Sequence, residues 1–94
     1  MTGRVAKRIK LESKEFETIL VFAVRYCLSK QPLISAYVID SVREWLPDLN
    51  YQTVKYMWND VRVASDFYSA DDERMWMEFC EELCAELDRR DSDE

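Results

Sequence analysis

Three thiols and a dense run of carboxylates are the groups in this chain with chemistry to offer. The thiols are Cys27, Cys80 and Cys84. Cys80 and Cys84 are four residues apart, one turn on a helix, but two sulfurs fall short of a closed zinc site, which takes four ligands. Cys27 could supply a third only if its segment packs beside theirs. The carboxylates concentrate in DDERMWMEFCEELCAELDRRDSDE, residues 71–94, where eleven residues are acidic and three are arginine. The chain has no histidine. The usual general base and triad partner are therefore missing, as are the nitrogen ligands of a Glu-x-x-His metal pair in a helical bundle. Gly3 is the only glycine, so no glycine-rich loop can cradle a phosphate. DFYSADDE, residues 66–73, lacks the alternating ligands and central glycine of a calcium loop. Paired carboxylates on a solvated face both stay ionised, which deprives them of acid and base roles. These residue types point to binding rather than catalysis. No enzyme activity, cofactor or metal is expected.

The elements that must position these groups follow from pattern. A chain of 94 residues fits one domain. At 48% hydrophobic residues it has the material for a core and does not read as disordered. One glycine and two prolines leave few turns, which favours a few long elements over a many-stranded sheet. Phe16, Ile19, Leu20, Ala23, Val24 and Cys27 follow helical spacing and predict a first helix from about Lys14 to Ser29. Val21, Phe22, Tyr26 and Leu28 widen its stripe, which places this helix centrally. A second helix, from about Ala36 to Leu46, carries Tyr37, Val38, Val42 and Trp45 on one face, with Ser35 as its expected cap and Pro47 as its stop. A third follows Asn50, a good cap, with Val54, Met57, Trp58, Val61 and Ala64 inward. The fourth, about residues 70–90, is capped by Ser69 and buries Trp76, Phe79, Cys80, Leu83, Cys84 and Leu87. All three cysteines thus fall on apolar stripes and read as small core residues. The expected fold is an all-α, single-domain bundle of four amphipathic helices. It spans residues 13–90, between a basic arm at 1–12 and a disordered acidic tail at 91–94.

Charge is distributed unevenly along this frame. Residues 1–30 carry seven basic and three acidic groups, whereas residues 60–94 carry four against thirteen. Such asymmetry suggests a charged interaction surface. Glu78, Glu82 and Glu86 recur every helical turn, and Glu81 lies beside them. These four are the candidate protein-binding residues, suited to a partner with a basic surface. Along the fourth helix the net charge falls about every 6 Å, against one per about 1.7 Å in duplex DNA, so the helix alone copies a duplex only in part.

The rival site is a nucleic-acid surface. ISAYVIDSVREWLPDLNYQTVKYMWNDVRV, residues 34–63, has the outline of a helix-turn-helix. QTVKYMW resembles the recognition helices of small helix-turn-helix and winged-helix regulators, although LPDLN replaces the usual turn glycine. Gln52, Lys55, Asn59 and Arg62, with Thr53 and Tyr56, would face DNA, and Arg4, Lys7, Arg8 and Lys10 of the arm would add phosphate contacts. Asp60 and the acidic remainder of the domain oppose this reading. An odd cysteine count without a signal-peptide pattern predicts a reducing, cytoplasmic setting. The longest apolar run, ILVFAV, is far short of the roughly 20 residues of a membrane span.

FETILVFAVRYCLSKQPLISAYVIDSVREWLPDL, followed by WNDV and DDERMWMEFCEEL, resembles a group of small phage and prophage proteins. In that group an FAxRYxLxR-like helix leads into a short helix, and a helix bearing tryptophan and phenylalanine closes the domain. The matching residues here are Phe22, Ala23, Arg25, Tyr26, Leu28, Trp76 and Phe79, with Lys30 where the group often has arginine. Most are core positions. Small acidic phage proteins without catalytic groups include inhibitors of host defence, anti-CRISPR proteins and DNA mimics. The resemblance therefore implies an inhibitor acting on a host protein in the host cytoplasm, as a monomer or a homodimer.

Overall fold

The computed structural model describes residues 13–92. They form four helices: α1, Ser13–Lys30; α2, Ser35–Trp45; α3, Tyr51–Val63; and α4, Ala70–Ser92. A 3-10 turn, Leu46–Asp48, links α2 to α3. No strand occurs among the described residues, and the expected all-α bundle is what the chain forms. The basic arm, with Arg4, Lys7, Arg8 and Lys10, lies outside the described residues, as do residues 93 and 94. Among the described residues no helix is long and apolar enough to cross a membrane.

The backbones of α3 and α4, of α1 and α3, and of α1 and α2 pack side by side. Side chains link α2 and the turn after it to α4. Arg43 on α2 forms an ion pair with Glu82 on α4 at 2.7 Å, and Arg90 Nη2 donates to the Leu46 carbonyl at 2.9 Å. The four helices are thus linked, α1 to α2 and α3, and α4 to α3 and α2. Each contributes residues to one core: Val24 and Cys27 from α1, Ile39 and Val42 from α2, Val54, Met57 and Val61 from α3, and Trp76, Phe79 and Leu83 from α4, all at most 1% exposed.

Which side of each helix turns inward differs in places from the pattern. On α1 the buried side is Leu20, Val21, Val24 and Cys27, while Ile19, Phe22 and Tyr26 are 53%, 59% and 53% exposed. This helix is not surrounded: α2 and α3 pack on it, and the line Ile19, Phe22 and Tyr26 stays uncovered. On α2, Ile39 takes the inward place expected of Tyr37, which is exposed. Ile39 follows Ser35 and precedes Val42 and Trp45 at helical spacing, and the phenol of Tyr37 keeps its hydroxyl in water by turning away.

Helix ends are set locally. Asn50 caps α3 as expected, its side chain accepting from the Gln52 amide at 3.2 Å. Ser69 Oγ likewise accepts from the Asp72 amide at 3.1 Å. Ser35 is not a cap. It is the first residue of α2, is buried, and its hydroxyl donates to the Pro32 carbonyl at 2.9 Å. α1 ends at Gln31, which has a φ of 50° and whose amide donates to the Cys27 carbonyl at 2.8 Å. A left-handed residue that is not glycine costs about 1 kcal/mol. Here the Gln31 side chain offsets this by donating to the Asp66 carbonyl of the α3–α4 loop. α4 runs to Ser92, so Asp91 and Ser92 belong to the helix and not to a tail. Arg89 and Arg90 favour this extension by placing positive charge near the helix C-terminus.

Candidate functional site

α4 presents its acids in two different states. Glu78 and Glu81 are exposed, with no partner among the described residues. Glu82 and Glu86, one and two turns on from Glu78, are occupied within the chain. Arg43 Nε donates to both Glu82 oxygens, at 2.8 and 3.1 Å, and Arg43 also reaches Asp40 at 2.7 Å. The hydrogen bond to Glu82 is the main cause that holds the Arg43 guanidinium more firmly charged. Glu86 is only 10% exposed at its side chain and receives Arg90 Nε at 2.7 Å as well as Arg89. The Arg89 hydrogen bond is the largest influence on its carboxyl, and with the Arg90 bond it lowers the pKa against the opposing effect of burial.

The ladder of four acids read from spacing is thus not one surface. Glu82 closes the bundle, Glu86 anchors the end of α4, and Glu78 and Glu81 alone of the four remain free. Asp88, not among the candidates, is exposed and joins these two. On a helix turning roughly 100° per residue, the three lie within an arc of about 80° and span about 15 Å. Ala85 between them is exposed and keeps the line uncluttered. The signal for Asp88 was there in outline, since it follows Glu81 by seven residues, two turns along the same face. Nothing local announced that Arg43, thirty-nine residues away, would capture Glu82.

The candidate nucleic-acid residues of α3 are brought together. Gln52, Lys55, Asn59 and Arg62 are all exposed and recur at helical spacing on one face. Their polar ends are partly engaged. Arg62 lies 4.9 Å over the Trp58 ring and donates to Asn59 Oδ1 at 2.7 Å, while Lys55 lies 6.0 Å from the Tyr51 ring centroid. Asp60 is held by Arg25 of α1 at 2.7 Å. Thr53 is buried, unlike the exposed Tyr56. A helix-turn-helix packs its two successive helices directly on each other at about 90–120°. Here α2 and α3 follow one another through the Leu46–Asp48 turn, and each packs on α1.

Between α1 and the start of α3 runs a groove of about 800 Å³. Val21, Phe22 and Tyr56 supply its apolar wall, and Arg25, Asn50 and Gln52 its polar rim. Glu17, beside it, accepts from the Asn50 amide at 2.7 Å and so ties α1 to the cap of α3. Among the described residues no three cysteines or acids gather where they could hold a metal ion. Cys27 is buried, and Cys80 and Cys84 are half-buried. Burial chiefly pushes the Cys27 and Cys80 thiols up, which keeps them protonated and poorly nucleophilic.

No protein-family model matches this chain, and neither a curated protein nor a solved structure is significantly similar to it.

Proposed function

We propose that this protein is a non-enzymatic binding module that docks the outward face of α4 on a basic protein surface. Its target, on this reading, is a host protein of defence or nucleic-acid processing, which it inhibits in the manner of an anti-CRISPR protein or a partial DNA mimic. The observation that carries the proposal is the set Glu78, Glu81 and Asp88, exposed on one line of a helix held by four buried anchors, Trp76, Phe79, Leu83 and Leu87. Carboxylates on an anchored helix meet arginines and lysines without first surrendering an internal partner, and they steer a basic partner at long range. Three charges in about 15 Å are sparse beside duplex DNA. The face therefore competes for a basic groove rather than reproducing a duplex.

The test is capture from host lysate by the wild type, by Glu78→Lys/Glu81→Lys/Asp88→Lys, and by Glu86→Gln. The triple variant is expected to lose the target while remaining folded. Glu86→Gln should keep it, because Glu86 already serves Arg89 and Arg90. Duplex DNA should displace the captured protein. A target retained by the triple variant sinks the proposal.

The second reading, a DNA-binding regulator, is favoured by one observation: Gln52, Lys55, Asn59 and Arg62 share an exposed face. It requires tight duplex binding by the wild type at physiological salt. That binding should be lost on changing Lys55 and Arg62, or Arg4, Lys7, Arg8 and Lys10, to glutamate, and should fall steeply with salt.

A further inference from the structure

The outer side of α1 combines apolar exposure with unused charge. Glu15, Ile19, Phe22, Tyr26 and Ser29 follow one another at alternating steps of four and three residues. That is the spacing of a helix–helix seam. All five are exposed, and the line they form points away from the side that buries Leu20, Val24 and Cys27. Lys30 lies beside the end of the seam and is exposed. Neither Glu15 nor Lys30 has an ion-pair partner among the described residues. Three large apolar side chains on one helical line, each more than half exposed, form a contiguous patch rather than scattered surface residues.

We infer that this face of α1 is a self-association surface, on which a second copy of the chain packs its own α1 in the antiparallel sense. The residues are complementary to themselves under a two-fold axis passing between Phe22 and Ala23. Such an axis sets Ile19 of one copy against Tyr26 of the other, brings the two Phe22 rings together, and pairs Glu15 with the other copy's Lys30 at both ends. Parallel packing would instead put Glu15 against Glu15 and Lys30 against Lys30. An isologous contact of this kind needs each residue to find its complement on the same patch. Ala23, half-buried and small, lets the helices approach closely beside the axis. The three apolar side chains offer roughly 300 Å² per copy, below the roughly 800 Å² per partner of a standard interface. The dimer is therefore weak and reversible. The surface uses no residue of α4, so this inference does not depend on the function proposed for its free acids.

Sedimentation velocity of the full chain, from about 5 to about 500 µM, tests it across the range expected of a weak interface. The wild type should shift from monomer to dimer. Phe22→Glu, at an exposed position that leaves the core intact, should stay monomeric with an unchanged circular dichroism spectrum. Glu15→Lys and Lys30→Glu should each weaken the dimer about five-fold, and the double exchange should restore it, because rim pairs contribute modestly and their reversal adds repulsion. A wild type that stays monomeric throughout, or a dimer indifferent to Phe22→Glu, overturns the surface and leaves it to another chain. Failure of the double exchange to restore affinity overturns the antiparallel register.

Discussion

α1 and α4 both contribute to one core, and their outer faces are opposite in character. α4 turns Glu78, Glu81, Ala85 and Asp88 to water, whereas α1 turns Ile19, Phe22 and Tyr26 to water. Their inner faces do the same work with comparable residues. The difference shows that burial of one stripe settles where a helix lies, and that the other side is then free to carry recognition. It also shows that charge in a sequence is not charge on a surface. Two of the four regularly spaced glutamates of α4 are consumed in closing and ending the bundle.

The contrast between inner and outer faces can be broken most forcefully at Trp76. Trp76→Ala removes a ring that is 0% exposed and should cost about 3–5 kcal/mol in urea denaturation. Phe22→Ala removes a ring of the outer face and should change stability by less than about 0.5 kcal/mol. If the two costs are similar, the outer face of α1 is covered within the monomer and the contrast fails.

Helix starts should show smaller effects. Asn50→Ala and Ser69→Ala each remove a side chain that accepts an otherwise orphaned amide. Each should cost about 1 kcal/mol, while Ser35→Ala removes no cap and is expected to act through packing and the Pro32 contact alone.

The internal pairing of Glu86 should be visible in the pH dependence of stability. The Glu86 pKa in the fold lies below its ordinary value of 4.5, so the ionised form is favoured by folding. Its contribution is fully present above the unfolded value and is lost as pH falls through the folded one. Stability measured from neutral to acid pH should therefore decline less steeply for Glu86→Gln than for the wild type. Smallest of all should be the effect of Glu78→Lys/Glu81→Lys, within about 0.5 kcal/mol at neutral pH. A large loss there would mean that these carboxylates are structural after all.

Much of the architecture was legible from spacing because helices are local objects. The positions of Val24, Val54, Met57, Trp76 and Leu83 repeat with the helical period, and each is buried. Asn50 and Ser69 act as caps through contacts two and three residues away, which is within reach of sequence reasoning. The errors have a common cause. Tyr37, Phe22 and Ile19 are apolar enough to be core residues, yet which of several apolar lines turns inward depends on where the neighbouring helices stand.

The candidate site divides along the same boundary. Local spacing was enough to place Glu78, Glu81, Glu82 and Glu86 along one helix, and Gln52, Lys55, Asn59 and Arg62 along another, because residues three and four apart share a face whatever surrounds them. The absence of histidine and of glycine-rich loops likewise follows from composition. Only the tertiary structure decided that Arg43 would take Glu82 and that Arg25 would take Asp60. Both depend on groups at least thirty-five residues apart meeting in the packed bundle. The physical reason is that an ion pair forms where packing brings two charges within about 4 Å, and that distance is a property of the assembled bundle rather than of either segment.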